Sequence, residues 1–426
     1  MTSLLTGAPA PPSLLRNRSY MLLMSGLTTE SLGAGLALFA VPLVAYSLTG
    51  SVLQAGAVAA VGQMGSLLAT LPAGVIADRV DRRRLIVVAA TVGVGLWATA
   101  GIAAALGSLT AWHLALVLFG ASVVGAFVDP ATSGAFRSIV PTPQLPTALA
   151  ATQGRDAVAG LVAGPIGGLL FAMSHAVPLV AAAVGHLATA VCTWAVRDPL
   201  NADTADARAT RPGDALRQGL RFVWSVPLFR ALLGLFVVLN IAFGGFLVVI
   251  NLELVRSGVA PVLIGVVDLA VCAGVLIGAV LAPRLLGRVR AGVLTVAALS
   301  CLAAGAVCMA VLQTYAAYVV VLPLAVLLVP AVNAGLAGYA AAITPNQLQG
   351  RLASVMGLTG LAAGPLIPLV GSGLLERFGI GTALTALAGL LVATVAAITT
   401  ARPLWRVGLP DTWADDALPA PAQNSS

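Results

Sequence analysis

The stretch Gly74-Val75-Ile76-Ala77-Asp78-Arg79-Val80-Asp81-Arg82-Arg83-Arg84 decides the fold class, because it joins two long apolar runs through a dense cluster of charges. Six of the seven residues from Asp78 to Arg84 are charged, and the next apolar run begins at Leu85. Such a cluster must lie in water, so the runs on either side are expected to be membrane-spanning helices. The excess of arginine predicts that this turn lies on the cytoplasmic side.

The whole chain has the composition of a multi-pass membrane protein. Of its 426 residues, 59% are hydrophobic and only 9% are charged, and the mean hydropathy is +1.01. Soluble domains carry roughly 25% charged residues, which excludes a soluble protein. All 22 basic residues are arginine, which suggests a GC-rich bacterial genome, and they lie in short loops rather than along one face. The net charge of +7 therefore does not indicate a nucleic-acid partner.

The sequence offers no pattern for a cofactor, a metal site or nucleotide chemistry. The four cysteines fall within apolar runs without C-x-x-C spacing, and we interpret them as small core residues. The three histidines are dispersed, and His186 is interpreted as a packing residue that forms a hydrogen bond. A phosphate-binding loop, G-x-x-x-x-G-K-[ST], is absent and could not exist without lysine. We expect no cofactor, no metal, no enzymatic activity and no transport driven by ATP hydrolysis.

Twelve apolar segments of membrane-spanning length lie between the charges, prolines and glycine-rich turns. The first six are predicted near 19–46, 52–76, 85–106, 111–135, 147–173 and 177–196. The second six are predicted near 229–252, 260–282, 291–312, 316–341, 352–375 and 380–400. We therefore predict an all-α integral membrane protein with twelve transmembrane helices in two pseudo-symmetric six-helix bundles. The bundles occupy 19–196 and 227–400, and a central cytoplasmic loop, 197–226, joins them.

The arginines also predict the orientation of the chain in the bilayer. With the N-terminus inside, nineteen arginines fall on the inner side and only Arg256 and Arg377 fall on the outer side. This is a strong positive-inside bias, and it places both termini in the cytoplasm. Residues 1–12 are polar and proline-rich, so we expect no cleavable signal peptide, and residues 1–18 are predicted to be a cytoplasmic N-terminal segment. Residues 401–426 are predicted to be a disordered cytoplasmic tail.

The two predicted bundles are related to each other in sequence. The segment Gly160-Leu-Val-Ala-Gly164-Pro165 in the fifth helix recurs as Gly360-Leu-Ala-Ala-Gly364-Pro365 in the eleventh. The basic loop that begins at Gly74 recurs in a weaker form at 278–290. Matching positions in both halves predict two parallel repeats, with a substrate site at the midplane between them.

Ionisable groups inside apolar helices are candidates for function, because each costs roughly 2.5–3.5 kcal/mol to insert. Glu30 is the one charge of the first helix, and its neighbours at i+3, i+4 and i+7 are small residues that turn it toward another helix or a cavity. We predict that Glu30 carries a proton, with Asp268 in the eighth helix as the second candidate. For each, a structural acid that bonds a neighbouring helix is the alternative.

Three further polar residues are candidates for the substrate cavity. Asn240 lies in the seventh helix, the counterpart of the first, and either lines the cavity or holds two helices together. Asp156 follows the glycine face of the fifth helix into a helix contact. Arg155 points about 100° away, toward the inner vestibule or toward the lipid headgroups, where it would snorkel.

The basic loop resembles the signature between the second and third helices of the major facilitator superfamily, G-x-x-x-D-R-x-G-R-R. The matching residues are Gly74, Asp78, Arg79, Arg82 and Arg83. Asp81 replaces the middle glycine, a variant associated with the branch that exports macrolides and siderophores. In the family, the loop acid and the arginine four residues later clamp the inner gate. The resemblance implies this role for Asp78 and Arg82, with Asp129 as the acid at the inner end of the fourth helix.

The fifth helix resembles the antiporter signature g-x-x-x-G-P-x-x-G-G, which relatives associate with export. The matching residues are Gly160, Gly164, Pro165 and Gly168, while Leu169 replaces the last glycine. Another drug-pump signature, R-x-x-Q-G in the fourth helix, is missing, because 114–128 contains no arginine. The resemblance covers the chain from about Arg16 to Arg406 and implies a transporter of the bacterial cytoplasmic membrane.

The leading hypothesis is a secondary active transporter that exports an amphipathic small molecule, such as an antibiotic, a siderophore or another secondary metabolite, in exchange for protons. We expect it to act as a monomer in the lipid bilayer, by alternating access. The alternatives are an uptake symporter, a lipid-moving facilitator, and a membrane protein that senses or scaffolds without transporting. The intramembrane acids Glu30 and Asp268 disfavour the last, because a scaffold gains nothing from their cost.

Overall fold

The computed structural model describes residues 14–77, 79–201, 224, 227–344, 357, 360–400, 402–405 and 407–416, and every regular element among them is a helix. The N-terminal half contains six long helices, which agree with the predicted segments to within a few residues. They are α1 (Arg18–Thr49), α2 (Val52–Ala77), α3 (Arg82–Ala105), α4 (Ala111–Ile139), α5 (Leu145–Met173) and α6 (Ala176–Ala195). Asp78, most of the predicted central loop and residues 417–426 lie outside the described residues.

The C-terminal half contains α7 (Pro227–Arg256), α8 (Pro261–Leu286), α9 (Ala291–Leu312), α10 (Tyr315–Val326), α11 (Val329–Ile343), α12 (Leu366–Thr400) and α13 (Arg402–Trp405). The described residues include eleven segments that are long and apolar enough to cross a membrane. One of these, Gly360–Thr400, has 41 residues, about twice the length of a single crossing. Gly379 interrupts it at a φ of 75°, a backbone conformation that favours glycine. The segment therefore accommodates the predicted eleventh and twelfth helices.

The predicted tenth helix, 316–341, agrees with one membrane-length segment, Tyr315–Ile343, which contains a short turn. The structure divides it at Leu327 and Leu328 into α10 and α11. Pro330 explains the break, because it has no N–H to bond the carbonyl of Val326 and its ring crowds that carbonyl. Because residues 316–341 are mostly apolar, hydropathy alone gives no sign of this turn.

Small residues allow the helices of the N-terminal half to pack closely. A Cβ atom at Gly33 of α1 would meet the carbonyl oxygen of Ala181 on α6, and one at Gly185 would stand 2.8 Å from Cα of Glu30. On the other face of α6, Gly93 of α3 lies against the ring of His186. The backbones of α1, α3 and α6 are therefore close enough to enclose any polar side chain between them.

The two halves meet along two helix pairs, α5 with α8 and α2 with α12. At the predicted outer end, Gly168 lies against the backbone of Pro261, and the carboxylate of Glu376 accepts the N–H of Val52 at 3.1 Å. Toward the predicted cytoplasmic end, Gly154 and Gly360 have no neighbouring atom within 4 Å of where a Cβ would stand. The two halves are therefore closed against each other at the predicted outer end, and among the described residues these two glycines face open space toward the predicted cytoplasmic end.

The predicted disordered tail, 401–426, is wrong for the part that the structure describes. The side chains of Leu404, Val407 and Trp413 are buried against the C-terminal half. The Trp413 ring meets that of Tyr339 edge-on at 6.0 Å, and the carbonyl of Val407 accepts the N–H of Gly292 at 3.3 Å. The proline- and aspartate-rich composition of the whole segment hid three apolar side chains that pack together on the helix ends.

Candidate functional site

A cavity of about 470 Å³ lies between the two halves, near the closed end. Its walls come from helices of both halves and are almost entirely apolar, with Asp268, Asn251 and Cys272 as polar exceptions. No described side chain forms an ion pair or a hydrogen bond with the Asp268 carboxylate. The volume falls within the range of sites for drug-sized ligands. Asp268, one of the two predicted proton sites, therefore faces a space that a ligand can fill.

The fifth-helix motif lies where α5 crosses α8, directly beside this cavity. A Cβ at Gly164 would stand 2.7 Å from the carbonyl oxygen of Gly265 and 3.0 Å from Cβ of Asp268. Gly160, one turn closer to the predicted cytoplasmic end, lines the cavity, and no atom lies within 4 Å of where its Cβ would stand. Pro165 lies within α5 without ending the helix. The absence of side chains at Gly164 and Gly168 therefore sets how closely the two halves approach.

Glu30, the other predicted proton site, does not line this cavity but lies inside the N-terminal half. Its Oε1 is 3.0 Å from Nδ1 of His186, and the side chains are only 14% and 7% exposed, respectively. The two atoms do not form an aligned hydrogen bond, and Oε2 of Glu30 has no hydrogen-bond partner among the described residues. The buried hydroxyls of Thr189 and Thr193 on α6 also have no hydrogen-bond partner among the described residues. This region is therefore a buried polar cluster with unused hydrogen-bonding capacity.

The interpretation of His186 as a packing residue missed its ionisable partner. Its ring does pack, against Gly93, but its Nδ1 is directed at Glu30. One signal was available in the sequence: each is the sole titratable group in the middle of its own apolar helix, and buried polar groups need partners. Pairing these two helices required the fold.

Arg155 and Asp156 line neither the central cavity nor the second cavity described below, and their place in a substrate cavity stays a prediction. The guanidinium of Arg155 donates two hydrogen bonds to Oδ1 of Asp156, at 2.8 and 3.0 Å, and is only 14% exposed. Arg155 therefore turns back onto its neighbour instead of snorkelling. Asp156 is 53% exposed and accepts a hydrogen bond from Ser31 of α1. The pair joins the inner parts of α1 and α5.

Asp129 lies near this group rather than near the basic loop. Its carboxylate interacts electrostatically with Glu30, Asp156 and Arg155. It reaches open space but is surrounded by protein on most sides, as expected for a side chain in a crevice. Among the described residues, Asp129 and Arg82 form no hydrogen bond or ion pair with each other, and the gate of Asp78, Arg82 and Asp129 stays a prediction. Asp78 itself lies outside the described residues.

The arginines of the basic loop bind within the N-terminal half. Arg82 is buried, and its guanidinium donates to the carbonyls of Gly134 and Leu200, both at 3.3 Å. Arg83 donates to the carbonyl of Asp198 at 2.7 Å. In this conformation the loop therefore fastens the chain segment after α6 to α3 and α4.

The remaining loop residues are at the surface of the same end. Asp81 begins α3 by accepting the N–H of Arg84 at 2.8 Å, and it accepts the side-chain amide of Asn201 at 2.7 Å. Arg79 is exposed in the turn, and Gly74 has open space where a Cβ would stand. Neither Arg79 nor Gly74 contacts the other half through a described interaction.

Asn240 lines a second cavity, of about 290 Å³, inside the C-terminal half. The cavity is mainly apolar, and its other wall residues include Phe243 and Asn333. Asn240 therefore lines this chamber and not the central cavity between the halves, and its role in binding substrate stays a prediction.

The sequence profile of the Major Facilitator Superfamily matches residues 23–368. The chain belongs to this superfamily. Members bind small-molecule substrates, cross the lipid bilayer many times and are transporters rather than enzymes, which confirms the predicted class. The all-α, multi-pass fold is confirmed as well.

One curated relative is the multidrug efflux pump Tap of Mycolicibacterium fortuitum, which is 27% identical over 220 residues. That match spans 50% of this chain and 54% of the pump, so it covers about half the length of each protein.

Solved structures share the fold along nearly the whole chain. The nucleoside transporter NupG has a TM-score of 0.70 at 12% identity and covers 91% of this chain and 99% of its own. A D-xylose–proton symporter has a TM-score of 0.67 at 13% identity, with 92% and 98% covered. A bacterial homologue of the human lysosomal transporter Spinster, in an inward-facing, unoccupied conformation, has a TM-score of 0.66 at 15% identity, with 97% and 100% covered. At these identities the likeness concerns the fold alone.

Proposed function

We propose that this transporter exports an amphipathic small molecule, such as an antibiotic, a siderophore or another secondary metabolite, and that inward movement of protons drives the export. The protein works as a monomer in the bacterial cytoplasmic membrane, with both termini in the cytoplasm. The observation that carries the proposal is the central cavity, an apolar space between the halves with a single carboxylate, Asp268, in its wall.

The cavity supports an amphipathic substrate because of its chemistry. Apolar walls favour an apolar molecular surface, while the few polar groups, Asp268, Asn251 and Cys272, orient the molecule. A strongly hydrated solute such as a sugar would leave its hydroxyl groups without partners on these walls. The multidrug efflux for which the relative Tap is named agrees with such a substrate and with outward transport.

Proton coupling is assigned to Glu30, with Asp268 as the second site. Glu30 lies next to His186 inside the N-terminal half, away from the substrate cavity, and its second carboxylate oxygen is free to take a proton. The exposed carboxylates of Asp129 and Asp156 lie within electrostatic reach of each other, and Asp129 within reach of Glu30, and we propose that they pass protons between Glu30 and the cytoplasmic side. Glu30 can therefore change its charge without competing with a bound substrate for the same space.

The test is transport by the purified chain in proteoliposomes with an imposed pH gradient. We expect Glu30→Gln to abolish uphill export, because the amide carries no exchangeable acid proton, while downhill exchange of substrate persists. Glu30→Asp keeps the acid and should retain part of the coupling. The substrate is first found by screening a deletion strain for sensitivity to drugs and metabolites.

Two outcomes would overturn the assignment. Full uphill export by the Glu30→Gln variant would remove the proton role from Glu30 and transfer the test to Asp268→Asn. Accumulation of substrate on the opposite side of the membrane, in the direction of the proton gradient, would replace export by uptake symport.

A further inference from the structure

The chamber inside the C-terminal half has no assigned role, although its walls have the features of a binding site. All the long helices of this half contribute to it, so it lies within the bundle and not at the lipid surface. Phe236 and Phe243 of α7 provide aromatic surface, and valine and leucine side chains provide most of the rest. The break between α10 and α11 lies at the wall, next to Val326 and Val329. At about 290 Å³, the chamber is near the lower limit for a small-molecule site.

Two amide side chains interrupt this apolar wall. The nitrogen of Asn240 donates to the carbonyl of Phe236 at 2.8 Å, one turn earlier in the same helix, so the Asn240 oxygen is left to accept a bond. Asn333, on the first turn of α11, is also exposed to the chamber. Both amides are exposed to the chamber, so they are available to bond a ligand that carries a hydrogen-bonding group.

One stripe of α8 connects the chamber to the central cavity. Asp268 and Cys272 line the central cavity, Val275 lines the chamber, and Val271 lines both. These residues follow the spacing i, i+3, i+4 and i+7, which places them on one face of the helix. Seven residues of helix span about 10 Å. The side chain of Val271 therefore lies in the wall of both cavities, between the carboxylate of Asp268 and the part of the chamber wall that lies about 10 Å farther along α8.

We propose that the chamber is a second subsite for the transported molecule, and that this molecule is an organic cation with an elongated apolar body. Its cationic group pairs with Asp268 in the central cavity. Its apolar body passes Val271 into the chamber, where Asn240 and Asn333 bond a polar group on it. This inference rests on the proposed function, because it names the substrate class of the same transporter.

The physical reason lies in the unpaired charge of Asp268. No described residue supplies a cation to this carboxylate, and its surroundings are apolar. A carboxylate is least costly in such a place when an opposite charge joins it. The combined space of the two cavities suits a molecule that is too long for the central cavity alone.

Equilibrium binding to the purified full chain, without any gradient, tests the two subsites separately. The probes are methyltriphenylphosphonium and octyltriphenylphosphonium, which carry the same cationic head, and only the octyl chain spans about 10 Å. In the wild-type protein we expect the octyl probe to bind at least about tenfold more tightly than the methyl probe. The ratio of the two dissociation constants within one variant cancels general differences in partition into detergent or lipid.

The variants separate the head from the body of the ligand. Asp268→Asn should weaken both probes at least about tenfold and leave their ratio unchanged. Val271→Phe should close the passage and bring the ratio close to one. Val280→Phe is the matched control, because Val280 lies on the same helix, lines neither cavity and is 68% exposed, so this variant should keep the ratio. Val275→Phe narrows the chamber from its own wall and replaces Val271→Phe if that variant does not insert.

The results distinguish this inference from the proposed function. Unchanged binding in Asp268→Asn, an unchanged ratio in both Val271→Phe and Val275→Phe, or no binding of either probe to the wild type would overturn the two-subsite assignment. A protein that binds the probes as expected but fails to move any substrate uphill would instead overturn proton-driven export. A protein that exports a neutral substrate and ignores both phosphonium probes would overturn only the inference.

Discussion

The two intramembrane acids occupy opposite kinds of environment. Glu30 is enclosed by α1, α3 and α6, 3.0 Å from His186, and within electrostatic reach of Asp129. Asp268 faces the cavity between the halves, beside the close contact of Gly164 with Gly265, and has no ion-pair partner among the described residues. One acid is therefore held by the protein, and the other is presented to a ligand.

This difference shows that an acid is tolerated within a membrane helix for two separate reasons. A paired acid is stabilised by its partner, and removal of either member leaves the other buried and uncompensated. An acid at a cavity keeps contact with water or with a ligand, and its loss strands no partner. Position along the helix cannot separate these cases, because only the neighbours from other helices distinguish them.

The largest effect is expected when the pair is broken. Glu30→Ala leaves His186 buried without its partner and should destabilise the protein by about 3–5 kcal/mol, whereas Asp268→Ala should cost about 1 kcal/mol or less. Thermal unfolding of the detergent-solubilised protein measures this, with a thiol-reactive dye that reports exposure of the native cysteines Cys192, Cys272 and Cys308.

A double variant provides the control for this comparison. Glu30→Ala combined with His186→Ala should recover part of the loss, because no unpaired group remains. Equal unfolding temperatures for the two single alanine variants would show that the 3.0 Å contact contributes nothing and would erase the distinction between the acids.

An intermediate effect is expected at the contact beside Asp268. A Cβ at Gly164 would stand 2.7 Å from the carbonyl oxygen of Gly265, so Gly164→Ala should cost about 1–3 kcal/mol in the conformation that is closed at the outer end. Gly160→Ala is the matched control, because it meets nothing within 4 Å. The shift is measured as labelling of Cys272, the other cysteines being replaced, by a membrane-impermeant thiol reagent added outside.

Faster outside labelling in Gly164→Ala than in Gly160→Ala is the expected result. Identical labelling in both variants would mean that the α5–α8 contact does not control closure. Asp268 would then lose its position at the point where the halves separate.

Much of the fold could be predicted from the sequence, because the length of apolar runs and the placement of arginine obey the bilayer directly. The six helices of the N-terminal half and the turn near Gly379 follow from these signals alone. The turn between α10 and α11 could have been predicted from Pro330, although hydropathy alone does not show it. The packing of residues 402–405 and 407–416 against the C-terminal half was not predicted, because the apolar residues Leu404, Val407 and Trp413 are few among the prolines and aspartates of this segment.

The candidate site was less predictable, because its contacts join residues far apart in sequence. Composition and spacing identified Glu30 and Asp268 as unusual, but they could not pair Glu30 with His186 or leave Asp268 alone. The motif resemblance placed Asp129 with the basic loop, whereas the path of α4 brings it to Glu30 and Arg155. The guanidinium of Arg82 donates instead to carbonyl oxygens of α4 and of the segment after α6, because that segment returns to the loop.

The smallest effect on stability is expected at Asp81, an acid in the turn before α3, outside the membrane-spanning helices that carry Glu30 and Asp268. The pKa of its carboxyl is held below the ordinary value of 3.8, chiefly by the hydrogen bond from the N–H of Arg84. The side-chain amide of Asn201 and the charges of Arg84 and Arg83 lower the pKa further, while partial burial raises it. A carboxyl whose pKa is lowered on folding stabilises the protein above pH 3.8, and this stabilisation is lost as the pH falls through the folded pKa.

Asp81→Asn keeps a side chain that caps α3 but removes the charge, so at pH 7 the loss of stability should be below about 1 kcal/mol. The unfolding temperatures of the wild type and of this variant should therefore differ slightly at pH 7 and converge as the pH falls through the folded pKa of Asp81. All other acids are the same in both proteins, so their contributions cancel in the difference. A gap that stays constant with pH would mean that the Asp81 charge does not stabilise the loop, and that the amide of Asn201 and the cap alone hold it.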